Sequence, residues 1–411
     1  LDDQRYILEQ ILSLLDTHPV DAVLLAGDLY DKPVPPAEAV RLLDWFLTAL
    51  SARRLPVFAI SGNHDSADRI AFGAALLQNS RVYVSPVFSG APQPICLADE
   101  HGPVDVYLLP FLKPASVRHV WPDEPIESYN DALAWVLDHC SPDPARRSVL
   151  VAHQFVAGAA SCESEEPSVG GIDWVDAALF HKFDYVALGH LHSPQKVGRD
   201  TLRYCGTPLK YSFSEAHQHK SITFVDLGEK GCVDISTAPL TPLHDLRELR
   251  GSYMELTDRR NYEGTAVDDY LHITLTDEQD IPDALARLRK NGVKTFIATG
   301  RPPVHLPYLH ALDGIPFDGY VTMNGQYCYL ADGELLYTKY IPAASLQTLL
   351  PYIEKEQLSV GFVGKDLCRF NLINDLSRDF AKKLELGAGD VAALIQHEDI
   401  YQLSAFLPPE K

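Results

Sequence analysis

Short apolar runs that end in a cluster of polar residues recur through the first half of the chain, and they constrain its fold most strongly. The runs with this design are DAVLLAGD (21–28), LPVFAISGNHD (55–65), RSVLVAHQF (147–155) and FDYVALGHLH (183–192). Each apolar run predicts a buried strand, and helical stretches such as 37–54 lie between them. Strands that alternate with helices predict an α/β protein, in which active sites gather at the carboxyl ends of the strands.

Other segments extend this pattern. Apolar residues recur at helical spacing from Ile7 to Leu15, and His18-Pro19 then ends the predicted helix. Further strands are predicted in DVYLLPF (105–111) and SITFVDLG (221–228).

The composition is that of a globular protein, with 46% hydrophobic and 22% charged residues among 411. No apolar run reaches the roughly 18 residues that a membrane-spanning helix needs, so we expect no membrane association. The first ten residues lack the basic and then apolar character of a secretory signal. Seven scattered cysteines without a CxxC pair favour reduced thiols and a cytoplasmic location over a disulfide scaffold or a zinc ribbon.

The net charge of −21 disfavours tight, unaided binding to nucleic acid, because phosphate backbones attract basic surfaces. Bound divalent cations would offset part of that charge, and a local basic patch can exist in an acidic chain.

The polar clusters at the strand ends contain the residue types that bind divalent metals. They are Gly27-Asp28 with Asp31 nearby, Gly62-Asn63-His64-Asp65, His153, and Gly189-His190-x-His192. Carboxylate, amide oxygen and imidazole together suit a pair of ions such as Mn²⁺, Fe²⁺ or Zn²⁺. A histidine after a strand is more often a packed or surface residue, and a lone GNHD can be a turn. The ordered set at successive strand ends is much more specific than either piece.

This ordered set resembles the signature of the calcineurin-like metallophosphoesterases, and the flanking sequence resembles their SbcD branch over residues 1–290. The flanking segments are AGDLYDKPVPP, ISGNHDSADRI, VAHQFVAG, VGGIDWVDAALFHKFDYVALGHLHSPQKVG and RYCGTPLKYSFSE. The resemblance implies an α/β fold with a β-sandwich between helices, in four layers. It also implies a nuclease subunit that acts on DNA together with an SbcC-like SMC-type ATPase. The expected activities are ATP-assisted 3′→5′ exonuclease action on double strands and endonuclease action on single strands and hairpins, in DNA recombination and repair.

The resemblance also implies roles for individual residues. Two divalent metal ions are expected. Mn²⁺ is the preferred identity, and Mg²⁺, Fe²⁺ or Zn²⁺ are the alternatives. Asp28 would bridge both ions. The remaining implied ligands are Asn63, His153 and His190 for one ion and His192 for the other. The implied catalytic residues are His64 and Asp65. His64 would act as general acid or as the cation that stabilises the transition state, and Asp65 would orient His64. Lys210, Tyr211 and Ser212 would lie near the DNA phosphates or belong to a surface loop.

The chain departs from the family pattern at its start. The family pattern opens with a strand that ends in D-x-H, and no such strand precedes Asp28. Asp16-Thr17-His18 spells D-x-H, but it ends a predicted helix. We therefore expect an N-terminally truncated domain without its first strand, in which one ion keeps only Asp28 and His192. Weak activity or none would follow.

The segments HDLRELRGSYMEL (244–256) and DALARLRK (283–290) resemble the start of the capping domain that follows the SbcD core. From residue 291 the pattern changes, with NGVKTFIATGRPP (291–303) and VTMNGQYCYL (321–330). These segments resemble a different family, and 291–411 resembles part of a Cof-type haloacid-dehalogenase hydrolase with its cap. Thr299 would hold a phosphate there, and Asn324-Gly325 would lead towards the cap, although Asn-Gly is also a common hairpin turn. No DxDGT nucleophile loop precedes Thr299, so a structural remnant is favoured over a second enzyme.

The sequence thus predicts three domains: a nuclease domain at 1–243, a partial α+β capping domain at 244–290, and a partial haloacid-dehalogenase-like segment at 291–411. Three functions stay open: a two-metal DNA nuclease subunit, a phosphoesterase for a small substrate, and an inactive fragment that binds one metal. DNA and the SbcC-like ATPase are the expected partners, although the fusion puts the ATPase contact in question, and a homodimer is an alternative assembly.

Overall fold

The computed structural model describes residues 1–162, 165, 173–277, 289, 294–308, 317–384 and 386–407. The chain divides into two compact units, Leu1–Leu275 and Thr276–Lys411. None of the helices in the described part combines the length and the apolar character that a membrane span needs.

The first unit contains fifteen strands and eight α-helices among its described residues. The strands are β1 (Val23–Leu25), β2 (Val57–Ala59), β3 (Val82–Val84), β4 (Ile95–Asp99), β5 (Gly102–Leu109), β6 (Arg147–His153), β7 (Phe155–Val156), β8 (Trp174–Val175), β9 (Tyr185–Gly189), β10 (Gln195–Val197), β11 (Arg199–Tyr204), β12 (Ser221–Leu227), β13 (Val233–Pro239), β14 (Leu246–Gly251) and β15 (Tyr270–Leu275). The helices are α1 (Asp2–Thr17), α2 (Ala37–Ala52), α3 (Ala67–Ile70), α4 (Ala74–Leu77), α5 (Pro114–Val120), α6 (Tyr129–Asp138), α7 (Tyr253–Leu256) and α8 (Arg259–Tyr262).

Two sheets form the centre of this unit. One has the order β1-β2-β3 and is parallel, and the other has the order β10-β11-β9-β6-β5-β4, with parallel pairing from β11 to β5. Strands β12 and β13 form an antiparallel pair, and β14 and β15 pair in parallel. The strands predicted around Asp28, Asn63, His153 and His190 are confirmed as β1, β2, β6 and β9.

The two sheets pack face to face between two helical layers. Side chains that alternate along β2 and β6 meet in a core between the sheets, among them Phe58, Val149 and Val151. The intervening residues face outwards: Val57 packs in a core with α1 and α2, and Leu150 packs in a core with α5 and α6. The predicted four-layer arrangement of helices around a β-sandwich is therefore confirmed.

The strand register brings the polar loops to one edge. His153 at the end of β6 is the register partner of Gly189 at the end of β9, and Leu25 of β1 is the partner of Ala59 of β2. Because these pairs are parallel, their carboxyl ends and the loops that follow lie side by side.

The second unit contains two sheets among its described residues, with the orders β16-β17-β18-β19 and β21-β20-β22. Its elements are β16 (Phe296–Ala298), β17 (Gly319–Thr322), β18 (Tyr327–Leu330), β19 (Leu335–Thr338), α9 (Ala343–Lys355), β20 (Ser359–Val363), β21 (Cys368–Phe370), α10 (Arg378–Lys383), α11 (Val391–His397) and β22 (Gln402–Phe406). The predicted boundary at 290 lies beyond the division between the units at 275/276.

Candidate metal centre

Four of the predicted ligands meet at the carboxyl edge of the two sheets. His153 Nε2 lies 2.9 Å from Asn63 Oδ1 and 3.1 Å from Asp28 Oδ2. His190 Nδ1 lies 2.9 Å from the same Asn63 oxygen. The ligand atoms of Asp28, His153 and His190 all fall within 4.8 Å of one another. Residues from four different strand ends therefore converge on one point.

The protonation of His153 makes this arrangement suitable for a cation. Its Nδ1 lies 2.7 Å from the carbonyl oxygen of Ala26, and a carbonyl can only accept, so Nδ1 carries the proton. In the neutral ring, Nε2 then presents a lone pair towards the oxygens of Asn63 and Asp28. Acceptors that face one another without a shared proton repel, and a metal ion between them would remove that repulsion.

The spacing of these atoms also fits a metal ion. Two ligands that bind one ion at about 2.1 Å and at right angles lie about 3.0 Å apart. The separations of 2.9 and 3.1 Å around Asn63 and His153 match that value. The donor set of carboxylate, amide oxygen and two imidazoles is typical of first-row divalent metals.

Burial keeps His190 in the form that binds metal. Burial, together with the nearby His153, lowers the pKa of His190 to about 3, so the ring is neutral at physiological pH. Phe155 contacts the His190 ring edge to face, with 4.5 Å between centroids. A neutral imidazole held against an aromatic wall needs no proton release before it coordinates.

Asp28 is ionised despite its burial. Burial raises the pKa of Asp28, but in the metal-free chain a proton shared between His153 Nε2 and the Asp28 carboxylate, together with the His64 backbone N–H, outweighs that effect and holds the pKa below its usual value. A metal ion would take the place of that shared proton. The His64 N–H donates to Asp28 Oδ1 at 3.0 Å. The other oxygen, Oδ2, faces His153.

The backbone at the ligands is strained and closely packed. Asp28 and His190 adopt φ of 48° and 102°, a region that side chains other than glycine rarely occupy. A Cβ on Gly189 would lie 1.7 Å from the carbonyl oxygen of Ala26, and one on Gly62 would lie 2.1 Å from Asp28 Oδ1. Glycine is required at both positions because the loops approach each other to within backbone contact.

The Asp65 carboxylate contacts the backbone of two loops. It accepts N–H groups from Leu29 at 3.0 Å, Tyr30 at 2.9 Å and Gly62 at 2.9 Å. Orientation of the His64 ring, the role expected from the sequence, stays a prediction. Burial raises the pKa of Asp65, and these three donors oppose that effect. Asp65 thereby ties the loop that carries Asp28 to its own loop.

His64 lies at the rim of the cluster. Its Nδ1 is 3.1 Å from the carbonyl oxygen of Asp31, so this nitrogen carries a proton and donates it to the carbonyl. The second ring nitrogen, Nε2, is therefore the one that can exchange a proton with a substrate. The carboxylate of Asp31 is exposed and lies 3.8 Å from Lys32.

His192 lies in a second group of side chains. Its Nδ1 is 2.9 Å from Glu215 Oε1, and its ligand atom falls within 4.8 Å of those of Cys162 and Glu165. Among the described residues, the metal-type group around Asp28 contains His153 and His190 but not His192. The sequence did not predict the contact with Glu215, since 23 residues separate the partners.

Two other predicted features occupy ordinary structural positions. Asp16 forms a two-pronged ion pair with Arg53, and the His18 ring stacks on Phe224 at 5.0 Å, so both residues of the Asp16-x-His18 sequence have partners at the end of α1. Lys210 donates to the carbonyl of Ala216 and pairs with the Asp245 carboxylate at 2.9 Å.

In the second unit, the two predicted motifs lie next to each other. Asn324, in a left-handed conformation with φ of 56°, donates its N–H to the carbonyl of Thr299 at 3.3 Å. The Met323 N–H donates to the carbonyl of Arg301 at 3.2 Å. These loops follow the parallel strands β16 and β17, so their proximity follows from the register.

Comparison with known families gives a separate match for each part of the chain. Residues 1–194 match the calcineurin-like phosphoesterases, and residues 242–291 match the family described as the type 5 capsule protein repressor C-terminal domain. Residues 271–385 match the haloacid dehalogenase-like hydrolases.

Among curated proteins, the chain is similar to the SbcD component of the SbcCD nuclease from Staphylococcus epidermidis. The two are 32% identical over 294 residues, which cover 71% of this chain and 77% of that protein.

Among solved structures, the chain is similar to a haloalkanoate-superfamily phosphatase from Bacteroides thetaiotaomicron, with 22% identity and a TM-score of 0.30. It is also similar to a protein from Thermotoga maritima, with 15% identity and a TM-score of 0.28. These matches cover 40% and 31% of this chain, and the chain spans about half the length of each structure, 57% and 49%.

Proposed function

The chain belongs to the SbcD family of nuclease subunits, which are metallophosphoesterases, and from that premise we propose that it hydrolyses phosphodiester bonds in DNA. The observation that carries the proposal is the convergence of Asp28, Asn63, His153 and His190 on one point, with acceptor atoms 2.9 to 3.1 Å apart. Membership of this family implies divalent metal ions as cofactors, and we propose Mn²⁺ as the ion used.

Each residue has a proposed task. One ion would be held by Asp28, Asn63, His153 and His190. A second ion would be held by Asp28 and His192. Bound ions of this kind lower the pKa of a coordinated water and neutralise charge on the phosphodiester oxygens.

His64 supplies the proton in this proposal. Its Nδ1 proton is engaged by the Asp31 carbonyl, so the doubly protonated, imidazolium form of the ring would give its Nε2 proton to the leaving oxygen. The Asp65 carboxylate keeps the two loops in register through its three backbone contacts. It therefore supports the site without touching the substrate.

We also propose the domain organisation. Residues 1–243 form the nuclease domain, 244–290 part of the capping domain, and 291–411 a haloacid-dehalogenase-like segment. The family matches to 1–194, 242–291 and 271–385 support these divisions in order. The proposed partners are DNA and an SbcC-like ATPase.

One observation favours a second candidate. The net charge of −21 suits a small phosphodiester better than a polyanion. The two candidates share the metal cluster, so they differ only in substrate.

A comparison of substrates tests the proposal. The full chain, freed of metal and then supplied with Mn²⁺, is assayed on linear duplex DNA and on bis-p-nitrophenyl phosphate. We expect slow hydrolysis of both, because only Asp28 and His192 are assigned to the second ion, and loss of both after chelation and in His190→Ala. The matched control is His181→Ala, because the His181 ring lies 2.9 Å from the backbone carbonyl of the nearby Ala178, away from the metal ligands. Turnover of the small ester alone would favour the second candidate, and metal-independent turnover would contradict both.

A further inference from the structure

Residues 206–220 contact both the backbone and the ring of His192. The His192 carbonyl accepts from the Thr207 N–H at 3.0 Å and from Lys220 Nζ at 2.8 Å. Its ring Nδ1 lies 2.9 Å from Glu215 Oε1. A Cβ on Gly206 would lie 2.7 Å from the same carbonyl oxygen, so glycine lets this segment approach. The ring and the backbone of His192 are thus fixed together.

Glu215 and Lys220 form a buried ion pair behind this histidine. Glu215 is 0% exposed, the Lys220 side chain is 3% exposed, and Nζ lies 2.6 Å from Oε2. Lys220 also donates to Thr207 Oγ1 and Gln218 Oε1, at 2.9 and 2.7 Å. Removing two charges from water is costly, and an apolar pair of similar size would often fill such a space as stably. The pair therefore calls for an explanation beyond packing.

We propose that Glu215 is a positioning residue that sets the tautomer and the orientation of His192 for metal binding. A carboxylate can only accept, so the Nδ1 of His192 carries the proton and the Nε2 lone pair is presented to the ion. Carboxylate partners of this kind also make the ring a stronger ligand. Lys220 donates to the other oxygen of Glu215, Oε2, at 2.6 Å and so fixes the orientation of the carboxylate. The inference rests on the proposed function, in which His192 binds the second ion.

A purely structural role makes different predictions. If the ion pair only braced the 206–220 segment, its replacement would lower stability without changing the proton position on His192. The tautomer of one ring is therefore the decisive readout, and it can be measured without metal.

The test uses the full chain with ¹⁵N-labelled histidine, metal-free, by NMR. His192→Ala assigns the signal. We expect Nδ1–H in the native chain and loss of that preference in Glu215→Leu combined with Lys220→Met, which replaces both charges together. Glu215→Gln keeps an oxygen acceptor, so it should retain Nδ1–H and serves as a conservative variant if the double variant does not fold. An Nε2–H tautomer in the native chain would overturn the inference.

Mn²⁺ titration by calorimetry gives the second readout. We expect the double variant to weaken one binding step about 10- to 100-fold. In a His192→Ala background, the same change should have no further effect. The matched control is Asp184→Asn, because Asp184 also pairs with a lysine, Lys230, at 2.7 Å, but precedes β9 at the opposite end from the site.

The outcomes separate this inference from the function on which it rests. If His192→Ala leaves Mn²⁺ binding unchanged, His192 is not a ligand, and its proposed role falls together with the inference. If His192→Ala removes a binding step that the folded double variant, Glu215→Leu with Lys220→Met, leaves unaltered, only the inference falls.

Discussion

Asp65→Asn distinguishes a supporting role for this residue from a catalytic one. The Asp65 carboxylate accepts from Leu29 and Gly62 on one oxygen and from Tyr30 on the other. An asparagine can keep its oxygen towards the first two donors, but its NH₂ group then faces the Tyr30 N–H. One charge-assisted hydrogen bond is lost, and the half-buried Tyr30 N–H is left without an acceptor.

The expected cost follows from these contacts. A hydrogen bond to a charged group contributes about 1.5–3 kcal/mol, and a buried donor without a partner costs about 1–3 kcal/mol. These effects overlap, so we expect the free energy of unfolding to fall by about 3 kcal/mol in total. For a domain of this size, each kcal/mol corresponds to about 2–4 °C, which gives a decrease in melting temperature of about 6–12 °C.

Thermal unfolding of the metal-free chain, followed by circular dichroism, measures this loss. The control is Asp176→Asn, since Asp176 caps a short helix through one N–H, that of Ala178, and asparagine caps equally well. We expect the control to melt within about 1 °C of the native chain. An Asp65→Asn chain that melts like the native one but no longer hydrolyses substrate would refute the supporting role.

The remaining predictions concern the metal site and its loops. His190→Ala removes one proposed ligand of the ion that Asn63 also binds. Plasma mass spectrometry after dialysis should therefore show one ion fewer per chain, and unchanged metal content would remove His190 from the site. His64→Ala should abolish hydrolysis in Mn²⁺ and leave the metal content nearly unchanged, and loss of metal would make His64 a ligand. Gly189→Ala forces a Cβ to within 1.7 Å of the Ala26 carbonyl oxygen, so it should lower the melting temperature and Mn²⁺ affinity together. Thr299→Ala should leave duplex DNA hydrolysis in Mn²⁺ at the native rate, and a change would link the second unit to the activity.

The sequence predicts those parts of the site that depend on strand ends. Asp28, Asn63 and His153 each follow a buried apolar run, and parallel strands bring such positions to one edge. Periodicity and the order of the motifs were therefore enough to bring these side chains together. The β-sandwich, in contrast, was expected only because the motifs resemble those of the calcineurin-like metallophosphoesterases, and the alternation of outward and inward residues along β2 and β6 became visible in the structure.

Contacts across large sequence separations were not predictable in this way. Asp65 accepts from residues 35 and 36 positions earlier, and no local pattern marks a carboxylate that receives three backbone N–H groups. The Glu215–Lys220 pair lies in a segment without regular periodicity, so its relation to His192 becomes visible only when the chain is folded. The unit boundary at 275/276 falls within the predicted capping segment, residues 244–290.

Anomalous diffraction at the manganese edge, from crystals of the full chain grown with Mn²⁺, tests the metal centre most directly. We predict a peak about 2.1 Å from Asp28 Oδ2, Asn63 Oδ1, His153 Nε2 and His190 Nδ1. A chain that crystallises with Mn²⁺ bound elsewhere, and with no anomalous peak among these four atoms, would contradict the assignment of a metal-dependent nuclease site.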